Sequence, residues 1–404
     1  MRTIPAIIAA ALCGASLTTI WADVGTNSDA IIENITTPAN HQNIQVLLGK
    51  DVTEALLEVK GAYFLFNPQD GSKISSGLLG KRFMVHAIDS GLKWGEEFPG
   101  LYQFYIQPRS EETSIFINGI QYSGNIAIYA VGNRINIVND IDIESYVKSL
   151  LSAQLFSPTE NEVMAAMAIL ARTNAYYTVS HHRDAFWNVA ASDAGYQGSG
   201  LISPTSASMK AVDSTRHLIL VHPKDGKSLP FATAWTEHSA GKTAAYQTMF
   251  RKEVLATSPC IEAPHAALDR KETKWSYSTT NKTLAHLLDV PHITSIELFT
   301  DSASNKVYGI RLKDGQDFHD IDFFTLQERL GKQHVLSSDF TVSLKDESVT
   351  FSGFGKGHGV GLCLYSAAAM AQNGDNALKI LSKFYPETYL MNLNAIPETK
   401  QEAY

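Results

Sequence analysis

From about Ile44 to Val138 the apolar residues come in short alternations, among them Gln45-Val46-Leu47-Leu48, Ala62-Tyr63-Phe64-Leu65-Phe66, Thr113-Ser114-Ile115-Phe116-Ile117 and Asn125-Ile126-Ala127-Ile128-Tyr129. A period of two puts successive side chains on opposite faces of an extended chain, so this stretch predicts strands. Asn118-Gly119 and Val131-Gly132-Asn133 predict hairpin turns between them. At Ile143 the spacing becomes helical and holds to Leu155. Ser157-Pro158-Thr159-Glu160 then reads as a capping box with proline at the first helical position, opening a second helix that runs to about Ser180. Val163, Met167 and Leu170 share one of its faces, with Met164, Ala168, Ala171 and Ala175 beside them, a small-residue surface suited to burial. Further along, residues 218–222, 295–299 and 307–312 read as strands, and 284–288 and 323–330 as helices. A helix over 365–372 has Gly374 at its C-cap, and a last helix begins at Asp375 and stops before Pro386. The pattern predicts an α+β protein in which helices pack on β-sheet and form a cleft, with a β-rich N-terminal region.

Residues 353–361 read Gly-Phe-Gly-Lys-Gly-His-Gly-Val-Gly. In an extended strand this spacing strips one face bare and lines the other with Phe354, Lys356, His358 and Val360. Glycine weakens a strand, so five in register imply the close approach of another backbone or of a ligand. His358 can bind, move a proton or satisfy a core hydrogen bond. The spacing matches neither the phosphate loop, with its Gly-Lys-Ser/Thr ending, nor Gly-x-Gly-x-x-Gly.

The chain has 404 residues and opens Met-Arg, followed by an apolar stretch from Ile4 to about Leu17 and by Ile20-Trp21-Ala22 before Asp23. This predicts a secretory signal peptide over 1–22, too short in its apolar run to span a bilayer. Leu12 before Cys13 argues against a lipid-anchor site. Without the leader the chain carries 32 basic and 41 acidic residues, a net charge of −9, which disfavours a nucleic-acid partner. Cys260 and Cys363 would remain, to be bridged or left as two buried thiols. The expected organisation is a β-rich region over 23–140, a core over 141–392 with a smaller inserted unit near 266–350, and a tail over 393–404.

Phe354-Gly355-Lys356-Gly357-His358-Gly359-Val360-Gly361-Leu362 resembles the signature of the SpoIID/LytB family, stage II sporulation protein D and its relatives. Ile143-Glu144-Ser145-Tyr146-Val147 with Ala171-Arg172-Thr173-Asn174-Ala175 resembles the family's other hallmark, an acidic-x-Tyr-Leu helix leading to Ala-Arg-Thr-Tyr-Ala. Tyr196-Gln197-Gly198 and His238-Ser239 are lesser matches. The resemblance implies an exported, periplasmic or cell-envelope protein acting on peptidoglycan during division. Its activity would be lytic transglycosylase cleavage of glycan strands stripped of their stem peptides. Strands would be its partner, and an amidase a second one. In the family a glutamic acid near the end of the first helix serves as general acid and then base. The corresponding position here is Gln154. An amide cannot donate that proton, a service worth roughly 10²–10⁴-fold. The resemblance therefore leaves two readings: an enzyme using another acid, with Glu237 or a protonated His358 as candidates, or a glycan-binding or amidase-enhancing protein without turnover. Substrate contacts would fall to Arg172, Tyr196, His238, Ser239, Gly357 and Gly359. Arg172 could equally be a structural ion-pair partner and Tyr196 could equally fill the core. Some members hold zinc after the Arg-Thr helix. His181 and His182 are present here, but Ser192 and Ala194 cannot act as thiolates, so neither metal nor cofactor is expected.

Overall fold

The computed structural model describes residues 42–153, 160–182, 185–200, 202, 206–224, 226–251 and 259–395. The leader, Gln154 and the residues Ser157-Pro158-Thr159 lie outside them. The alternating N-terminal stretch folds into two antiparallel sheets, which fits the α+β expectation with a β-rich N-terminal region. One sheet orders its strands Asn43–Val52, Arg134–Asp142, Asn125–Val131, Gln103–Pro108, Tyr63–Phe66 and Lys73–Gly77, with Val189–Ala190 added in parallel on the far side of Asn43–Val52. The other has six strands, with Glu54–Lys60 and Lys81–Ile88 at its centre. Trp94 of the second sheet stands 5.5 Å from Tyr63 and 6.2 Å from Phe104 of the first, measured between ring centres. The two sheets therefore meet face to face over an aromatic core, and the Trp94 indole is satisfied by the Leu57 carbonyl at 3.1 Å. The expected turns form, with Asn118 and Gly119 both at positive φ and Val131 pairing with Arg134 across Gly132-Asn133.

Helix α1 (Ile143–Ala153) follows directly on the sheet, and Asp142 caps it by accepting the N–H groups of Glu144 and Ser145. Helix α2 (Asn161–His181) begins later than the sequence pattern predicts. Glu160 is its N-cap rather than its third residue. Its carboxylate accepts from the Gln372 side chain at 2.6 Å. The core of the N-terminal sheets continues without a break through α1, α2 and the helices Leu364–Gln372 and Ala377–Phe384. A second apolar cluster, with Trp275, Leu284, Ile310, Phe323 and Phe351 among its members, underlies the two three-stranded sheets between residues 274 and 354.

The glycine run departs from a flat strand. Strand Ser348–Phe354 ends where the run begins, and Gly355, Gly357, Gly359 and Gly361 all take φ between +77° and +97°. Only glycine adopts that conformation at no steric cost, so the alternation encodes a coiled backbone path rather than a bare strand face. The close approach is nonetheless present. A β-carbon on Gly355 would stand 2.4 Å from the His238 carbonyl, on Gly357 2.5 Å from Thr236 Oγ1, and on Gly361 2.0 Å from the Ala234 carbonyl. Residues 234–244 are thus the backbone that the run was shaped to admit.

Candidate functional site

Two histidines mark the crossing of these segments, and each is built into it in the same way. His238 accepts the Ala240 N–H on Nδ1 at 3.1 Å, and His358 accepts the Val360 N–H on Nδ1 at 3.1 Å. A ring nitrogen that accepts must be unprotonated, so both hydrogen bonds favour the neutral imidazole. Burial acts in the same direction on both, and it pushes the His358 pKa from 6.5 down to about 4 against an opposing hydrogen bond to the Trp235 backbone. Phe250 and Phe324 flank the His358 ring at 5.3 and 6.2 Å.

His358 therefore stabilises the fold at neutral pH and loses that contribution in acid. Its depressed folded-state pKa means that the unfolded chain takes up the proton first, so stability is complete above pH 6.5 and declines as pH falls towards 4. The loss amounts to about 3 kcal/mol, from the constant of 1.36 kcal/mol per pKa unit. His358→Asn retains an acceptor for Val360 and removes the titration. Urea unfolding at pH 7 and pH 4 should show the wild type losing more stability than the variant, and equal losses would refute the burial of a neutral ring.

Of the other expected contacts, Arg172, Tyr196, Gly357 and Gly359 are taken up within the protein. Arg172 is fully buried. Its Nε and Nη2 bind the two oxygens of Glu144 at 2.8 and 2.7 Å, and Nη1 donates to the Leu218 carbonyl at 3.0 Å. Weaker bonds to Thr215 and the Val212 carbonyl complete the set, so the guanidinium ties α1 to α2 and to the chain at 212–218 and has no donor left for a saccharide. Of its two readings, the structural one holds. The same is true of Tyr196, whose hydroxyl donates to Asn139 and whose ring stacks on Tyr146 at 5.5 Å inside the core. Gly357 donates its N–H to Leu336 and accepts from Ser338. Gly359 donates to Thr236 and accepts from Ala244. Their role is to permit the crossing.

Ser239 is closed off from solvent, with its N–H on Cys363 Sγ and its carbonyl on Lys306 Nζ at 2.6 Å. Lys306 was not legible as a site residue, since nothing in its sequence neighbourhood distinguishes it from a surface lysine. It is 1% exposed and shares Asp339 with Arg270, the bonds to that carboxylate measuring 2.6–2.8 Å. Burial lowers the Lys306 pKa while Asp339 opposes the shift. The cluster pins residues 239–240 to Asp339, the residue before strand Phe340–Lys345. Cys260 and Cys363 are both free thiols.

What remains open to solvent is a small polar and aromatic surface. Lys356 Nζ reaches both oxygens of Glu237, at 3.0 and 2.9 Å. Tyr365, 39% exposed, lays its ring 4.6 Å from that of His238, whose Nε2 is buried with no partner among the described residues. Tyr365 was not singled out from the sequence. Its only signal was its place at the helix start that follows the glycine run. His181 and His182 each donate from Nδ1 to a carbonyl one turn back in α2.

Residues 131–222, which span the end of the first sheet, α1, α2 and the strand after them, match the family model described as SpoIID, stage II sporulation protein. An uncharacterized protein of Chlamydia pneumoniae is 35% identical over 183 residues, covering 45% of this chain and 66% of its own length. An uncharacterized protein of Chlamydia muridarum is 35% identical over 199 residues, or 49% and 68%. One from Brachyspira hyodysenteriae is 29% identical over 362 residues, or 89% and 95%. The chain thus spans about two thirds of the chlamydial relatives it matches. The class that the matched segment defines is the SpoIID family. The chain belongs to it.

Proposed function

We propose that the protein binds peptide-stripped glycan strands of peptidoglycan in the cell envelope and does not cleave them. The observation that carries this reading is the use of His358. Its Nδ1 accepts a backbone N–H and its pKa lies near 4, so it cannot take over as proton donor near neutral pH. Gln154, at the position where the family has its acid, has no proton to give. Glu237 has both oxygens on Lys356, which suits it to accept hydrogen bonds from sugar hydroxyls. Tyr365 offers an exposed ring beside it, the pairing of flat aromatic face and polar group that a sugar ring fits. Export to the envelope is supported by the leader-like N-terminal sequence. No helix among the described residues is long and apolar enough to cross a membrane.

Glycan cleavage with Glu237 as the acid is the second reading, favoured by its position next to His238, whose Nε2 has no partner among the described residues. Sedimentation with sacculi distinguishes binding from its absence. The protein should pellet with sacculi that an amidase has stripped of stem peptides and stay in solution with intact ones. Tyr365→Ala should weaken that retention about 3–10-fold, the worth of one aromatic contact. Equal retention by the variant would remove this surface from the account.

A further inference from the structure

A second feature suited to sugar lies in the β-rich region and shares no residue with the surface around Glu237. Between the seven-stranded sheet and the segment that follows α2 is a pocket of about 240 Å³. Tyr102, Tyr129, Phe186 and Trp187 give it four aromatic rings, and amide side chains, Gln103 and Asn136 among them, provide its polar groups. None of its lining residues carries a charge. Asn136 is only 6% exposed. Its Oδ1 accepts the Asp51 N–H at 2.7 Å, while no acceptor among the described residues takes a proton of its Nδ2. That nitrogen is free to donate to an occupant of the pocket.

The walls are held in place before any ligand arrives. Asn188 clamps the Phe186-Trp187 segment to strand Asn43–Val52, donating its N–H to the Gln45 carbonyl at 2.8 Å and accepting the Gln45 N–H on Oδ1 at 2.7 Å. Phe186 meets Tyr129 edge-on at 5.4 Å yet keeps 66% of its surface exposed, and Tyr102 is 53% exposed. A closed apolar core would not leave two rings open at its mouth.

We propose that this pocket is a binding site for one neutral sugar ring. Its volume falls below the roughly 300–1,000 Å³ of sites for drug-sized molecules, which limits the occupant to about one ring. The lack of charged lining excludes an ionic ligand, whose burial would need a counter-charge. Aromatic faces cover the C–H faces of a pyranose, and amides both donate to and accept from its hydroxyls. That the ring belongs to a glycan strand rests on the function proposed above. That the pocket takes a sugar does not.

Free N-acetylglucosamine, followed by saturation-transfer NMR and calorimetry on the whole chain, tests the pocket directly. Saturable binding is expected, weakened about 3–10-fold in Phe186→Ala with an unchanged melting temperature. Trp187→Phe, which keeps a ring and removes the indole N–H, should also weaken it. Absence of saturable binding, or equal affinity in Phe186→Ala, overturns the proposal even if the protein still sediments with stripped sacculi. Binding that depends on Phe186, together with failed sedimentation, would retain the pocket and remove the envelope reading.

Discussion

Arg172→Ala should destabilise the protein by about 3–5 kcal/mol, the usual result of removing one partner from a buried ion pair. The magnitude follows from what is left behind. Glu144 would keep a carboxylate with its side chain only 13% exposed, and the Val212 and Leu218 carbonyls and the Thr215 hydroxyl would lose their shared donor. Arg172→Lys should recover only part of the loss, because a single ammonium cannot span both Glu144 oxygens and the carbonyls together. Thermal and urea unfolding measure this. The same variants separate the two roles the residue could have had. A substrate-binding arginine would lose glycan retention at unchanged stability, whereas the observed geometry requires stability to fall first.

The second large effect belongs to Gly361. Alanine there combines left-handed strain with a β-carbon 2.0 Å from the Ala234 carbonyl oxygen and 2.6 Å from the Tyr385 hydroxyl, which itself bonds that carbonyl. Strain of about 1–2 kcal/mol plus overpacking of about 1–3 kcal/mol gives a loss of roughly 2–5 kcal/mol. Gly374 provides an internal control. It also has positive φ, +90°, but a β-carbon there meets nothing within 4 Å, so Gly374→Ala should cost only the strain, about 1–2 kcal/mol. Equal losses at the two sites would mean that residues 234–238 can withdraw, and the crossing would not be the rigid element described.

These two cases show where the sequence is informative. Glycine at every second position announced a close approach, and the approach is there, but nothing in the letters distinguished a bare strand from a path of left-handed turns. That choice is made by residues 234–244, more than a hundred positions away. Arg172 posed the same problem. Its partner Glu144 lies 28 positions earlier, and only the packing of α1 on α2 brings the two groups together. Elements whose signal is local were legible. Helix Phe323–Leu330 begins and ends where the apolar spacing places it, capped by Asp322, and the Asn118-Gly119 turn follows from its dipeptide. The start of α2 was not, for Glu160 is its N-cap and its carboxylate bonds Gln372, 212 positions away. The aromatic pocket was invisible for the same physical reason, its walls coming from segments as far apart as Asn67 and Trp187.

Placing an acid where the family has one tests the central claim most directly. Wild type, Gln154→Glu and Glu237→Gln are incubated with amidase-stripped sacculi, and the soluble fraction is analysed by mass spectrometry for 1,6-anhydromuramyl products. The account predicts none from the wild type, although it pellets with the sacculi, and none from Glu237→Gln. Product from the Glu variant alone would show a binding site that lacks only its acid, a difference of at least roughly 10²-fold. Anhydro product from the wild type, lost in Glu237→Gln, would contradict the account and make Glu237 the acid of an active enzyme.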